Sequence, residues 1–241
     1  MREWLFISDL HLAPERPEII HLFERFVDEV AIHAERLYIL GDFLEYWLGD
    51  DDEAVGLEKV FQSLKKLSHR GVDVFFMVGN RDFLIGDELA KKCGFKIIDE
   101  PFIENINGQA TLLMHGDNLC TDDIAYQSFR AVVRNKAWQD DVLAKPLEER
   151  EQLARTMRQQ SEQANSEKTE AIMDVNQDAV IATMQQHSVN LLIHGHTHRQ
   201  AIHDFEINKQ PAKRIVLGDW YKKGCYLRLG NNAEAELISF E

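Results

Sequence analysis

Five short apolar runs in this chain each end in polar residues of the kind that bind metals. Leu5 to Ser8 leads to Asp9 and His11, Leu37 to Leu40 to Gly41-Asp42, and Val74 to Val78 to Gly79-Asn80; Thr111 to Met114 leads to His115, and Leu191 to Ile193 to His194 and His196. Uniformly apolar runs of this length read as buried sheet strands. The last side chain of such a strand stands at the carboxyl edge of an open α/β sheet, where ligands bind. Asp9, Asp42, Asn80 and His115 follow one another at intervals of 33, 38 and 35 residues, each long enough for a strand-helix unit of roughly 30 residues. The spacing predicts that the four stand side by side on one rim. Oxygen and imidazole donors without thiolates suit a hard or borderline divalent ion, with Mn²⁺, Fe²⁺ and Zn²⁺ all compatible.

Taken singly, each signal has a plainer reading. Gly-Asp or Gly-Asn after a strand is a turn, and one buried histidine is more often a hydrogen-bonded core residue than a ligand. Five such ends in one chain, two with paired donors (Asp9-x-His11, and His194-x-His196 with His198 beyond), point to a shared site.

The 241 residues suffice for one α/β domain with a substantial core. No run approaches the roughly 18 apolar residues of a membrane-spanning helix. The N-terminus runs straight into the first strand with no signal-peptide pattern. Cys93, Cys120 and Cys225 are odd in number and lack metal-motif spacing, as expected for free thiols in a reducing cytosol. A net charge of −14 disfavours nucleic acid as a partner.

Apolar residues recur at helical spacing from Ile19 to Ile32, from Leu57 to Leu67, and around Asp87 to Cys93, giving a βαβαβα order. Strand-like Arg214 to Leu217, Tyr226 to Leu229 and Ala235 to Phe240 follow without intervening helices, which predicts a second, partly antiparallel sheet. The 78 residues between His115 and His194 exceed what a strand-helix unit needs. Helices over Asp122 to Arg134, Leu147 to Asn165 and Asn176 to His187 would fill the excess, and an active-site cap is a recurrent use of such an insertion. Glu148 to Glu151 read as a solvated helix start and Asp50 to Asp52 as a solvated acidic turn. Leu153 and Met157 begin a stripe that continues into Ser161, Asn165 and Lys168; intervals of four and three place these last three on one helix face. A helix fraying into polar residues would show the same stripe.

The blocks Asp9-x-His11, Gly41-Asp42, Gly79-Asn80-Arg81-Asp82, His115-Gly116-Asp117 and Gly195-His196-x-His198 resemble the binuclear, calcineurin-like metallophosphoesterases. The resemblance implies an α/β fold, an αββα sandwich of two mixed sheets, forming a single domain over 1–241 with a helical cap inserted at about 118–175. GDFLEYWLGDDD at 41–52, GNRDFL at 79–84, HGDNLCTDDIAYQSFR at 115–130, AIMDVNQ at 171–177 and LIHGHTHR at 192–199 resemble the branch that cleaves a UDP-linked diacylated glucosamine in lipid A synthesis. What that implies is one metal on Asp9, His11, Asp42 and His196, and a second on Asp42, Asn80, His115 and His194, with Asp42 shared and Mn²⁺ preferred. Asp42, Arg81 and His194 would be catalytic. Asn80, Arg81, Asp123, Tyr126, Ser161, Asn165, Lys168 and His194 would contact substrate, and Asp82, Asp117 and His198 would orient ligands.

The implied reaction is attack of water on the α-phosphorus, releasing UMP and the diacylated sugar 1-phosphate. Arg81 stands where the family commonly has histidine. It cannot act as an ordinary general acid but can neutralise phosphate charge, which suits a leaving group that is already a stable anion. The resemblance also implies a cytoplasmic protein in peripheral contact with the inner membrane. The segment WQDDVLAKPLEEREQ at 138–152 is acidic, however, where contact with anionic lipid favours apolar and basic residues. Action on other nucleotide phosphodiesters would keep the metal rim without the polar stripe, and a non-catalytic scaffold would have lost ligands.

Overall fold

The computed structural model describes residues 3–166, 168, 172–230 and 235–241. The chain begins β1 (Trp4–Ile7), α1 (Pro17–Glu29), β2 (Arg36–Leu40), α2 (Glu58–His69), β3 (Asp73–Met77), α3 (Asp87–Cys93) and β4 (Lys96–Ile97). It continues through β5 (Phe102–Ile106), β6 (Gln109–Met114), α4 (Ile124–Val133), α5 (Lys136–Leu143), α6 (Leu147–Ser166) and α7 (Gln177–Gln186). The remaining strands are β7 (Leu191–His194), β8 (Ala201–Ile207), β9 (Gln210–Val216), β10 (Gly224–Leu229) and β11 (Ala235–Phe240).

Two mixed sheets result, one in the order β11-β10-β1-β2-β3-β4 and the other in the order β5-β6-β7-β9-β8. All four β1 residues are buried because both faces of its sheet are covered. Leu5, Ile7, Leu37 and Ile39 face outward onto Phe23, Phe26, Phe61 and Leu64 of α1 and α2. Alternation turns Phe6, Tyr38 and Leu40 inward, against Leu113, Ile193 and Ile215 of the second sheet. On the far side Leu112, Met114 and Leu192 pack on Val180 and Met184 of α7. The layers are therefore helix, sheet, sheet, helix.

Three sequence expectations change here. His115 does not extend the rim of the first sheet: it follows β6, in the second sheet, so the donors face one another across the seam between the sheets. Of the three late strands expected from the sequence only β9 joins the second sheet, whereas β10 pairs antiparallel with β1 and β11 with β10. Apolar alternation marks a strand's faces but not which sheet a hairpin joins. The insertion also contains α5, which separates α4 from α6.

The inserted helices are pinned by groups that read as solvated. Arg150, near the start of α6, is buried; its Nη1 donates to Leu48 O at 2.6 Å and to Asp51 Oδ1 at 2.7 Å. Asp50 is likewise not an idle turn residue. It accepts the Glu88 and Leu89 N–H groups at the start of α3 and the Trp47 indole N–H, each at 2.9 Å.

Candidate metal centre and substrate cavity

Beyond the strand ends the backbone enters the left-handed region at five chemically similar positions: Asp9 (φ 57°), His11 (φ 50°), Asp42 (φ 51°), His196 (φ 67°) and His198 (φ 59°). Such conformations cost free energy for residues with a Cβ and persist where surrounding contacts enforce them. Here the rim loops are laced together. The N–H groups of Asp9 and His11 donate to the Gly41 and Asp42 carbonyls at 3.1 and 3.0 Å, and Gly195 N donates to His115 O at 2.9 Å. Glycine is required at 41, where φ is +88° and a Cβ would lie 2.5 Å from His115 Nδ1.

Two clusters result. Asp9, His11 and His198 each offer a ligand atom, all within 4.8 Å of one another, and Asp42, His115 and His196 do the same. Asp42 faces both: its Oδ2 lies 3.9 Å from His11 Nε2 and its Oδ1 3.7 Å from His115 Nε2. Asn80 Oδ1 is 3.0 Å from His115 Nε2, which adds it to the second cluster. His11 is buried, and its Nε2 has no hydrogen-bond partner among the described residues. An orphaned buried nitrogen beside carboxylates, in an oxygen and imidazole donor set, fits divalent cations.

The structure alters the expected histidine register. His194 remains in β7, fully buried, with Nδ1 2.9 Å from Gly195 O and Nε2 3.4 Å from Arg214 Nη1. Both ring nitrogens are engaged away from the two clusters. His196 takes the place beside His115 expected for His194, and His198 the place beside His11 expected for His196. The cause is local: the strand stops at His194, and the left-handed residues after it turn His196 and His198 toward the seam.

Electrostatics bind the clusters into one unit. Burial opposes charge on His115, but the surrounding Asp42, Asp117, Asp9 and Glu100 carboxylates raise its pKa to about 9. Burial and the His115 charge instead push His196 down to about 4, and burial holds His194 at about 3. Burial would raise the Asp9 carboxyl, yet the hydrogen bond from His198 and the neighbouring histidine charges hold it well below the usual carboxylate range. Burial and the adjacent Asp42 charge raise Asp82 to about 6; its oxygens accept the Gly79 and Phe43 N–H groups at 2.7 and 2.8 Å, tying the β2 and β3 loops together.

The profile of the calcineurin-like phosphoesterases matches residues 4–200. The chain belongs to the calcineurin-like phosphoesterase family. It is 46% identical to a UDP-2,3-diacylglucosamine hydrolase of Chromohalobacter salexigens, over 98% of this chain and 96% of that one. It is 50% identical to the protein of the same name from Hahella chejuensis, over 93% and 92%, and 47% identical to that of Escherichia coli O7:K1, over 98% of each. Among solved structures an archaeal phosphodiesterase superposes with a TM-score of 0.50 at 15% identity, covering 99% of both chains, a likeness of fold.

In this phosphoesterase a cavity of about 800 Å³ runs from the clusters to the inserted helices. Arg81, Asp123, Tyr126, Leu153, Met157, Ser161 and Lys168 all line it. Arg81 does not pair with Asp82. Its backbone N–H donates to Asp42 Oδ1 at 2.8 Å, and its guanidinium reaches into the cavity 3.8 Å from Glu45. Asp123 caps α4 and accepts from Lys168 Nζ at 2.6 Å, while the Tyr126 hydroxyl donates to Asp117 at 2.7 Å. Because α6 ends at Ser166, Lys168 is not on a continuous helix face with Ser161 and reaches the cavity from beyond the helix. The Asn165 side chain lies outside the described residues.

Sequence reasoning misses three participants. Glu45 Oε2 lies 3.2 Å from His11 Nδ1, in the place of a ligand-orienting carboxylate; its position three residues after Asp42 is the only signal. Arg214 comes from β9 with none. Arg130 lies inside the 115–130 block, where nothing distinguishes it from a surface arginine.

Proposed function

We propose that the chain hydrolyses the pyrophosphate bond of UDP-2,3-diacylglucosamine, with water attacking the α-phosphorus to give UMP and 2,3-diacylglucosamine 1-phosphate. The observation that carries this reading is the cavity: apolar Leu153, Met157 and Phe129 line the same space as Arg81, Lys168 and the metal-facing His196 and His198. An acylated sugar phosphate needs that combination, and the named relatives agree with it. The ligand set we propose is Asp9, His11, Asp42 and His198 for one ion and Asp42, Asn80, His115 and His196 for the other, with Mn²⁺ the ion that the family resemblance implies. Bound there, the ions would lower the pKa of an attacking water and neutralise phosphate charge.

The protein's own groups supply the rest. Asp42 presents an oxygen to each cluster, so one anion offsets the repulsion of two cations. Glu45 and Asp219, which lies 3.7 Å from His198 Nδ1, hold the rings of the first cluster. Arg81 neutralises charge on the transferred phosphoryl group, and the 1-phosphate departs without protonation. Tyr126 takes part through its ring, which lies beside that of His196, since its hydroxyl is committed to Asp117. Asp123, Ser161, Asn165 and Lys168 receive the sugar and its acyl linkages.

No helix of the described residues is long and apolar enough to cross a membrane. Peripheral contact with the inner membrane from the cytoplasmic side draws support from exposed Ile124, Phe129 and Val132 on α4. It draws none from α5, where Asp140 and Asp141 are exposed. Hydrolysis in ¹⁸O-labelled water tests the reaction: the label should appear in UMP. Label in the sugar phosphate would overturn attack at the α-phosphorus, and turnover of simple nucleotide phosphodiesters with none of the lipid would overturn the substrate.

A further inference from the structure

We propose that Arg130 and Arg134 are positioning residues for the second metal cluster, so that α4 is a strut between the substrate side of the cap and that cluster alone. Asp123, Tyr126 and Phe129 face the cavity from α4 and its cap. Gln127, Arg130 and Arg134, spaced by three and four residues, face the rim loops. Arg134 Nη2 donates to Gly79 O at 2.9 Å and to Val78 O at 3.3 Å, the two carbonyls just before Asn80.

Arg130 does the corresponding work on the other loop. Its Nε donates to Asp117 Oδ2 at 2.8 Å, and its Nη2 to Glu100 Oε2 at 3.0 Å. Glu100 Oε1 in turn accepts the Gly116 N–H at 3.0 Å, and Gln127 Nε2 donates to Asp117 O at 2.8 Å. Asn80 and His115, two donors of the second cluster, are thus each carried on a loop held by a charged donor from one helix. Among the described residues α4 sends no side-chain hydrogen bond to the loops bearing Asp9, His11 or His198. Both held loops contain glycine, which has no side chain to fix the backbone, and charge-assisted bonds are the stronger class available for the task. The consequence is unequal: disturbing α4 should loosen one ion and spare its neighbour.

The inference rests on the two-ion reading, and a Mn²⁺ titration of the metal-free full-length protein separates the two. Calorimetry follows each binding step, assigned with His11→Ala and Asn80→Ala as references, while electron paramagnetic resonance distinguishes an exchange-coupled Mn²⁺ pair from isolated ions. Wild type should bind two ions; binding of fewer would overturn the two-ion reading and the inference with it. Arg134→Ala should weaken the second site by about tenfold or more, the scale of an outer ligand partner. It should leave the first within twofold, so that at limiting Mn²⁺ the coupled signal gives way to that of isolated ions. Arg134→Lys, which keeps the charge and one donor, should lie between the two and serves as the test if the alanine variant does not fold. Given two ions in wild type, equal weakening of both sites, or no weakening of either, would overturn the inference.

Discussion

Replacing His198 and His194 separately should have opposite effects on metal binding. His198 faces Asp9 with its Nε2 3.4 Å from Oδ1, and its side chain is 27% exposed. His198→Ala removes one of four donors from the first site and opens little of the core. Losing even an outer partner costs a metal site about 10- to 100-fold, so loss of a donor should cost at least about 100-fold in Mn²⁺ affinity, while the metal-free protein loses one hydrogen bond to the buried Asp9 carboxylate, about 1.5–3 kcal/mol. His194 is the reverse case, fully buried, with both ring nitrogens committed to protein groups. His194→Ala leaves a void and takes from Arg214 its 3.4 Å neighbour, together worth about 2–4 kcal/mol, or roughly 4–16 °C in Tm for a chain of this size. Metal content by mass spectrometry and scanning calorimetry of the chelated protein read the two effects independently. If His194→Ala loses one equivalent of Mn²⁺ at unchanged Tm while His198→Ala retains two, the histidine register drawn from the structure is wrong.

Arg81→Ala should lower kcat by about 100-fold or more with two ions still bound; a loss of bound metal instead would show that the guanidinium acts on the site and not on the phosphoryl group. Arg150→Met leaves Asp51 and Leu48 O without their donor and should cost about 2 kcal/mol in urea unfolding. It should also raise KM for the lipid several-fold while sparing a short aryl phosphodiester, and equal effects on both substrates would refute a cap-specific role. His115 holds its proton up to about pH 9 in the metal-free protein, and only the neutral ring can bind a metal. Affinity at the second site should therefore rise with pH by up to tenfold per unit until about pH 9 and flatten above it, with one proton released on binding below that value; a pH-independent second step in calorimetry would contradict this.

The sequence carries the positions of Asp9, Asp42 and Asn80 clearly, because each follows a strand of one parallel run; it marks His115 as a strand-end donor but not that its strand lies in the second sheet. It carries the histidine trio poorly. His194, His196 and His198 alternate as though along one strand face, yet the strand ends at His194, and two left-handed residues beyond it decide which rings reach the seam. Arg150 is misread for a related reason: a long polar side chain near a helix start looks solvated, and its partner Asp51 lies 99 residues earlier in the chain. The placement of β10 and β11 depends on which sheet offers a free edge, something local pattern does not encode. The shared helix face of Ser161 and Lys168 is lost because α6 ends two residues before Lys168, although Lys168 still lines the cavity.

The two clusters draw their members from both sheets, with Asp9, His11, Asp42 and Asn80 on loops of the first and His115, His196 and His198 on loops of the second. This has a consequence for how the protein comes into being. A ribosome delivers the first sheet's donors within the opening third of translation, but the last histidine emerges only after all of the inserted helices, and β10, the strand beside β1, later still. A partly made chain therefore holds Asp9, His11, Asp42, Asn80 and His115 without His196 and His198, and hydrolytic competence should arrive late and abruptly. Premature termination before His198 should yield fragments that are inert, not slow.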